Sequence, residues 1–239
     1  MNLTGNKILI TGGASGIGFA LVERFSQEGN TIIICGRRQD ALDEAQQKNP
    51  SWITRVADAS TEEGRTALVE WVMKEHPDTN VLVNNAGIQN WMKIDEPDYY
   101  TRAKAELAIN VEAPLHLTQL FLQSQAINTI INVTSGLSFT PLTKTPVYSA
   151  TKAFLHSYTR SLRHLLQDRG IEVIELIPPA LNTDLGGKGI HDFAPPVSGF
   201  IDTTFEQLKA GKPQVTYMFS EAMLKAGQEE REVAFGRMN

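Results

Sequence analysis

Only one cysteine, Cys35, stands among 239 residues, so an internal disulfide is impossible and a reducing, cytoplasmic setting is expected. Positive charge is also scarce: 22 Lys and Arg oppose 27 Asp and Glu, for a formal net charge of −5. Nucleic acid, which needs a basic face, is excluded as a partner. No apolar run approaches the roughly 20 residues that cross a bilayer. The opening Met1-Asn2-Leu3-Thr4-Gly5-Asn6-Lys7 lacks the apolar stretch of a secretion signal, so no membrane partner is expected. The histidines (His76, His116, His156, His164, His191) never fall beside a second ligand at metal-binding spacing, so no metal is expected. What remains is ordinary globular material, 41% hydrophobic and 21% charged. A chain of this length buries roughly 70–75% of its unfolded surface without covalent or metal staples.

Short β-rich runs alternate with helical patterns. Lys7–Thr11, Thr31–Cys35, Trp52–Val56, Asn80–Val83, Thr129–Val133 and Glu172–Ile177 read as strands, with Gln214–Met218 as a last one. Between them, helices are expected over 17–28, 41–48, 62–75, 98–124 and 147–168, with a polar helix at the C-terminus. Repeated strand–helix units predict an α/β fold: one Rossmann-type, doubly wound parallel sheet with helices on both faces, in a single domain spanning 1–239. Residues 184–200 break the rhythm with Gly186, Gly187, Gly189, Pro195, Pro196 and Gly199. Residues 184–212 are therefore expected to form a flexible substrate loop and helix, since doubly wound sheets place ligands past the C-terminal ends of their strands.

Two residue sets carry chemistry. The first is Thr11-Gly12-Gly13-Ala14-Ser15-Gly16-Ile17-Gly18, between the first strand and the first helix. Glycine lets the backbone approach a phosphate, and the free N–H groups and positive dipole end of the helix attract it. The second strand then ends in Cys35-Gly36-Arg37-Arg38. NAD recognition usually places a carboxylate there for the ribose 2′-hydroxyl. The planar guanidinium forks of Arg37 and Arg38 suit a 2′-phosphate instead, so NADP is expected, with NAD the alternative.

The second set is Ser135, Tyr148 and Lys152. Tyr148 and Lys152, at i and i+4, share one helical face and can converge on one ligand. A phenol with an ordinary pKa near 10 is a weak acid–base catalyst at neutral pH, so Lys152 is expected to pull it down. Ser135, at a strand end, can donate to a substrate oxygen. Tyr100 and Lys104 repeat the same spacing. Gly87, not a strand-end Ser, lies thirteen residues before Tyr100, so that pair reads as helix surface.

Thr11-Gly12…Gly16-Ile17-Gly18, Asn84-Asn85-Ala86-Gly87, Asn110, Ser135 and Tyr148…Lys152 together resemble the short-chain dehydrogenase/reductases, in family order over 7–183. Residues 132–185, with Asn132-Val133-Thr134-Ser135-Gly136-Leu137 and Ile177-Pro178-Pro179-Ala180, resemble its DltE-type branch. The resemblance implies hydride transfer between a nicotinamide cofactor and a carbonyl or alcohol, with Tyr148 as general acid/base. It implies that Asn110 holds a water of the proton relay and that Lys152 grips the nicotinamide ribose. It also implies cofactor contacts at Gly12, Ser15, Gly16, Ile17, Gly18, Asp58, Asn84, Ala86, Gly87, Pro178 and Thr183, and a homodimer or homotetramer built partly on the 98–124 and 147–168 helices. Pro179 stands where the family usually has Gly, which predicts a reshaped wall. Leu137, Phe139, Leu142, Leu181 and Leu185, with Gln89, Asn90 and Trp91, are the expected pocket lining for an apolar carbonyl compound. No cation beyond Lys144 and Lys188 awaits an anionic substrate there. The rival readings are a non-catalytic cofactor sensor, or a dehydratase or epimerase on the same scaffold.

Overall fold

Seven strands of three to six residues, rich in β-branched and aliphatic side chains, line up in parallel in the order β3-β2-β1-β4-β5-β6-β7. The computed structural model describes residues 1–239. Its strands are β1 (Lys7–Thr11), β2 (Thr31–Gly36), β3 (Ile53–Val56), β4 (Val81–Asn84), β5 (Thr129–Val133), β6 (Glu172–Ile177) and β7 (Gln214–Thr216). The helices between them are α1 (Gly16–Gln27), α2 (Gln39–Lys48), α3 (Glu62–Glu75), α4 (Tyr99–Leu107), α5 (Ala113–Phe121), α6 (Pro146–Leu165) and α7 (Val197–Lys209). Two more, α8 (Phe219–Lys225) and α9 (Gln228–Met238), end the chain.

Alternation along the strands sorts side chains to two buried layers. Ile8 and Ile10 of β1, with Ile32 and Ile34 of β2, face Leu21, Val22 and Phe25 of α1 and Phe200 and Phe205 of α7. Leu9 and Ile33 point the other way, onto Leu68 and Val72 of α3, Leu117 and Phe121 of α5 and Leu162 of α6. Phe25 and Phe205 meet edge-on at 4.8 Å, and burial of each ring contributes roughly 1.5–3 kcal/mol. The chain winds outward from β1 to β3, then crosses back to β4 and winds the other way. The reversal leaves a crevice past the ends of β1 and β4, where doubly wound folds bind ligands.

Several sequence expectations are corrected. The 98–124 helix is two helices, interrupted by a π-helical turn over Ala108–Glu112. Periodicity cannot register one extra residue in a turn, and π-turns mark functional positions often. Residues 184–196 form turns, but α7 already begins at Val197, because Pro196 supplies an extended N-cap rather than a break. The last strand stops at Thr216, two residues early, and Met218 adopts φ +50°. The C-terminal helix is likewise two, broken at Ala226–Gly227. No helix is long and apolar enough to cross a membrane.

Candidate active site

A cleft of about 920 Å³ opens at the crevice. One wall is the turn after β1. Gly12 has φ +65°, and a Cβ there would sit 2.9 Å from Ala86 Cα; a Cβ on Gly18 would sit 2.4 Å from the Gly12 carbonyl oxygen. Only glycine permits both approaches. Thr11 Oγ1 accepts from the backbone N–H groups of Asn85 and Ala86, each at 3.0 Å. Asn85 Nδ2 returns bonds to the Thr11 and Gly12 carbonyls at 2.9 and 3.2 Å. The turns after β1 and β4 are thereby joined. Ser15 caps α1 without a side-chain hydrogen bond, and no acid occupies the first turn. The leading N–H groups and the dipole of α1 are free for an anion, so the site fits a pyrophosphate.

Gly12, Ser15, Gly16, Ile17, Gly18, Arg37, Arg38, Ala86, Gly87, Tyr148, Lys152, Pro178 and Thr183 all line this one cleft. Asp58 lies between the lining residues Ala57 and Ala59. Burial pushes its carboxyl up, but Ser60 hydrogen bonds and the Arg37 charge hold it below the ordinary value. Asn84 takes a different place from the one the resemblance implied. Its amide donates to Asn132 Oδ1 at 2.8 Å in a buried polar row that continues to Thr159. Asn85, its neighbour in the same motif, is the residue that shapes the cleft.

Tyr148 is 6% exposed and Lys152 4%, on the face of α6 turned to the sheet. The Lys152 ammonium sits 5.6 Å from the centre of the Tyr148 ring and donates to the Val133 carbonyl at 2.8 Å. Ser135 lies beside the Tyr148 phenol. Its Oγ accepts from Leu137 N–H at 3.1 Å, which leaves the hydroxyl hydrogen free to donate. Burial raises the phenol well above its usual value; Ser135 opposes this weakly, and the Glu106 charge adds to it. Lys152 does not contribute the expected depression, and the same burial pushes its own ammonium down to about 8. Tyr100, by contrast, is 70% exposed, with Lys104 lying over its own ring. Tyr100→Phe is therefore expected to leave turnover within roughly ±20% of wild type in a steady-state assay, as surface changes usually do. A large loss would mean the wrong pair was chosen.

Asn110 sits in the π-helical turn. Its Oδ1 accepts from Ile88 N–H at 3.0 Å, and its Nδ2 donates to the Ile88 carbonyl at 2.9 Å and to Thr151 at 3.1 Å. One turn earlier Glu106, fully buried, accepts from the Asn90 N–H. These two side chains hold the 88–90 segment along the cleft. Sequence reading missed Glu106, though its spacing of four from Asn110 was visible. His191 was missed too: its Nε2 lies 3.3 Å from Gln89 Oε1, docking the glycine-rich 184–194 turns onto the same wall. The expected apolar pocket is corrected. Of the proposed lining only Gln89, Asn90 and Leu185 reach the cleft. Leu181 is core, and Phe139 lines a different cavity.

Residues 6–192 match the short chain dehydrogenase family, and the chain belongs to it. It is an oxidoreductase-family Rossmann protein by sequence as well as by fold. Among relatives, it is 41% identical to the uncharacterized oxidoreductase DltE of Bacillus subtilis (strain 168), covering 100% of this chain and 98% of that one. Among solved structures, it resembles a short chain dehydrogenase from Burkholderia cenocepacia J2315 in complex with NADP, at TM-score 0.86 and 21% identity, covering 100% and 99%. It also resembles the 3-ketoacyl-(acyl-carrier-protein) reductase from Brucella melitensis complexed with NADH, at TM-score 0.71 and 28% identity, covering 77% and 79%.

Proposed function

We propose that this protein transfers hydride between NADP(H) and a carbonyl/alcohol pair, with Tyr148 as the general acid/base. The observation that carries this reading is that Tyr148 and Lys152 line the cleft into which the glycine-rich turn opens, with Ser135 beside the Tyr148 phenol. When bound, the nicotinamide supplies or accepts the hydride. The residues of this chain handle the oxygen. Tyr148 stays protonated in its buried site and donates to the carbonyl oxygen in the reductive direction. The Ser135 hydroxyl donates a second hydrogen bond to the same oxygen, a preorganised donor where charge develops. Lys152, buried and shifted toward neutrality, stands next in line to return the proton to Tyr148. Asn110 ties the 88–90 wall to α6 by its bonds to Ile88 and Thr151. The amides of Gln89 and Asn90 on that wall favour a carbonyl compound that itself carries hydrogen-bonding groups.

Relatives of this fold hold NADP or NADH, which supports a nicotinamide coenzyme. The preference for NADP rests on Arg37 and Arg38, which line the cleft at the end of β2 with no carboxylate among them. Replacing both, Arg37→Ala with Arg38→Ala, is expected to weaken NADPH binding roughly 10–100-fold, the worth of lost charge-assisted bonds, and to change NADH binding little. Calorimetric titration with each coenzyme measures this; equal losses reject the 2′-phosphate assignment. Oxidation of NADPH across a panel of hydroxylated aldehydes and ketones tests the activity itself. A homodimer or homotetramer is part of the proposal, supported by Tyr100, Leu107, Phe154 and Leu165, large apolar side chains exposed on α4 and α6.

A further inference from the structure

A second cavity, of about 490 Å³, opens beside α6, the start of β7 and the α8–α9 segment, and shares no residue with the cleft. Arg160, Arg231 and His156 line it, and no carboxylate does. We propose that this cavity binds a small organic or inorganic anion, recognised through a carboxylate or phosphate group.

The charge count around it comes first. Glu175, fully buried behind the cavity, is the nearby anion, and its oxygens are already engaged. Thr134 Oγ1 donates to it at 2.8 Å, Gln214 Nε2 at 3.0 Å, and His156 Nδ1 lies at 2.8 Å. The Arg163 guanidinium also feels the Glu175 charge and offsets it, while being repelled by Arg160. Arg160 and Arg231 are left as positive charges without a carboxylate to meet them. Such a pair facing one hollow is relieved by a bound anion, and the planar guanidinium matches carboxylate and phosphate oxygens.

Preorganisation is the second support. Arg231 is fixed: its Nε donates to the Met223 carbonyl at 3.1 Å, its Nη2 to Leu224 at 3.4 Å, and its guanidinium lies 5.1 Å over the Phe139 ring. Phe139 in turn meets the His156 ring edge-on at 4.9 Å. One donor therefore points from a rigid frame, which lowers the entropy lost on binding.

The test titrates the full chain with inorganic phosphate and with succinate, each against chloride at matched ionic strength, and follows thermal unfolding and heat of binding. Saturable stabilisation by either anion is expected; phosphate alone or succinate alone tells which oxygen geometry the site takes. Arg160→Gln should weaken the apparent affinity roughly tenfold or more, as loss of a charge-assisted bond does. Arg160→Lys, which keeps the charge and loses the planar fork, should recover part of that affinity, and it leaves Arg231, which braces α8, in place. The Arg37→Ala with Arg38→Ala variant should respond as wild type. The proposal is overturned if neither anion gives saturable binding, if Arg160→Gln binds as wild type, or if the response vanishes with Arg37 and Arg38, which would place the anion in the coenzyme cleft.

Discussion

Tyr148→Phe is expected to lower kcat by roughly 10²–10⁴-fold, the usual contribution of a positioned general acid/base, while coenzyme binding stays near wild type. The reason is local. The phenyl ring keeps its packing on α6, where Tyr148 is 6% exposed, so the fold and the cleft walls are retained. Only the hydroxyl disappears. Ser135 then remains as a hydrogen-bond donor, but its hydroxyl is far too weak an acid to hand over the proton. Lys152 points at the Val133 carbonyl and faces the edge of the site through Tyr148. No other titratable side chain lines that part of the cleft beside Tyr148 except Asp184, which lies on the exposed loop. Steady-state turnover with NADPH and an active carbonyl substrate gives kcat, and fluorescence titration gives coenzyme affinity. A variant retaining within about threefold of wild-type kcat would remove Tyr148 from the chemistry, since general acid catalysis is worth far more. Such a result would leave the hydride transfer standing and move the acid/base role to another group.

Lys152→Met is expected to abolish most turnover and yet stabilise the coenzyme-free protein. Burial lowers the Lys152 ammonium from 10.5 to about 8, which amounts to about 3 kcal/mol of native-state penalty on the charged form. The hydrogen bond to Val133 is lost in the variant, which takes back about 1 kcal/mol. A net gain of about 2 kcal/mol would raise Tm by roughly 4–8 °C for a domain of this size. The pH dependence has a definite sign. Between pH 8 and 10.5 the unfolded chain still binds the proton and the native chain has released it, so wild-type stability rises with pH through this window. Below pH 8 the penalty is complete. The advantage of Lys152→Met should accordingly be greatest near neutrality and shrink as pH climbs toward 10.5. Paired melting curves across that range check it. A constant offset would mean that Lys152 is not held against its charge. This is the trade expected of an active site, where a strained or desolvated group is retained for function.

Both results concern the pair that the sequence singles out. Tyr148 and Lys152 could be separated from Tyr100 and Lys104 because Ser135 precedes the first pair by thirteen residues, and the tertiary structure buries one pair and exposes the other. The direction of the phenol shift was not readable. An i, i+4 spacing gives proximity, but the sign of a pKa shift depends on how much water remains. Here burial sets the direction for both groups, raising the phenol and lowering the ammonium. Asn84 gives a similar lesson. The motif was legible, yet which of two adjacent asparagines faces the cleft depends on strand pleat, and Asn84 pairs across β4 and β5 with Asn132.

By itself the chain order of apolar runs and helical faces determined a parallel α/β sheet, because the periods of 2 and 3.6 are local properties of the backbone. The glycines after β1 and the Arg pair after β2 were likewise set locally, by steric and charge needs that each residue carries wherever it folds. The tertiary structure alone decided the π-helical turn at Asn110, the hidden carboxylate of Glu106, the docking of His191 on Gln89 and the second cavity between Arg160 and Arg231. The contacts of Glu106 with Asn90, of His191 with Gln89 and of Arg160 with Arg231 across their cavity join residues 16 to 102 positions apart. Their contacts exist only after the strands have stacked, and the burial that shifts the Glu106 carboxyl up and the His191 imidazole down has no counterpart in the sequence.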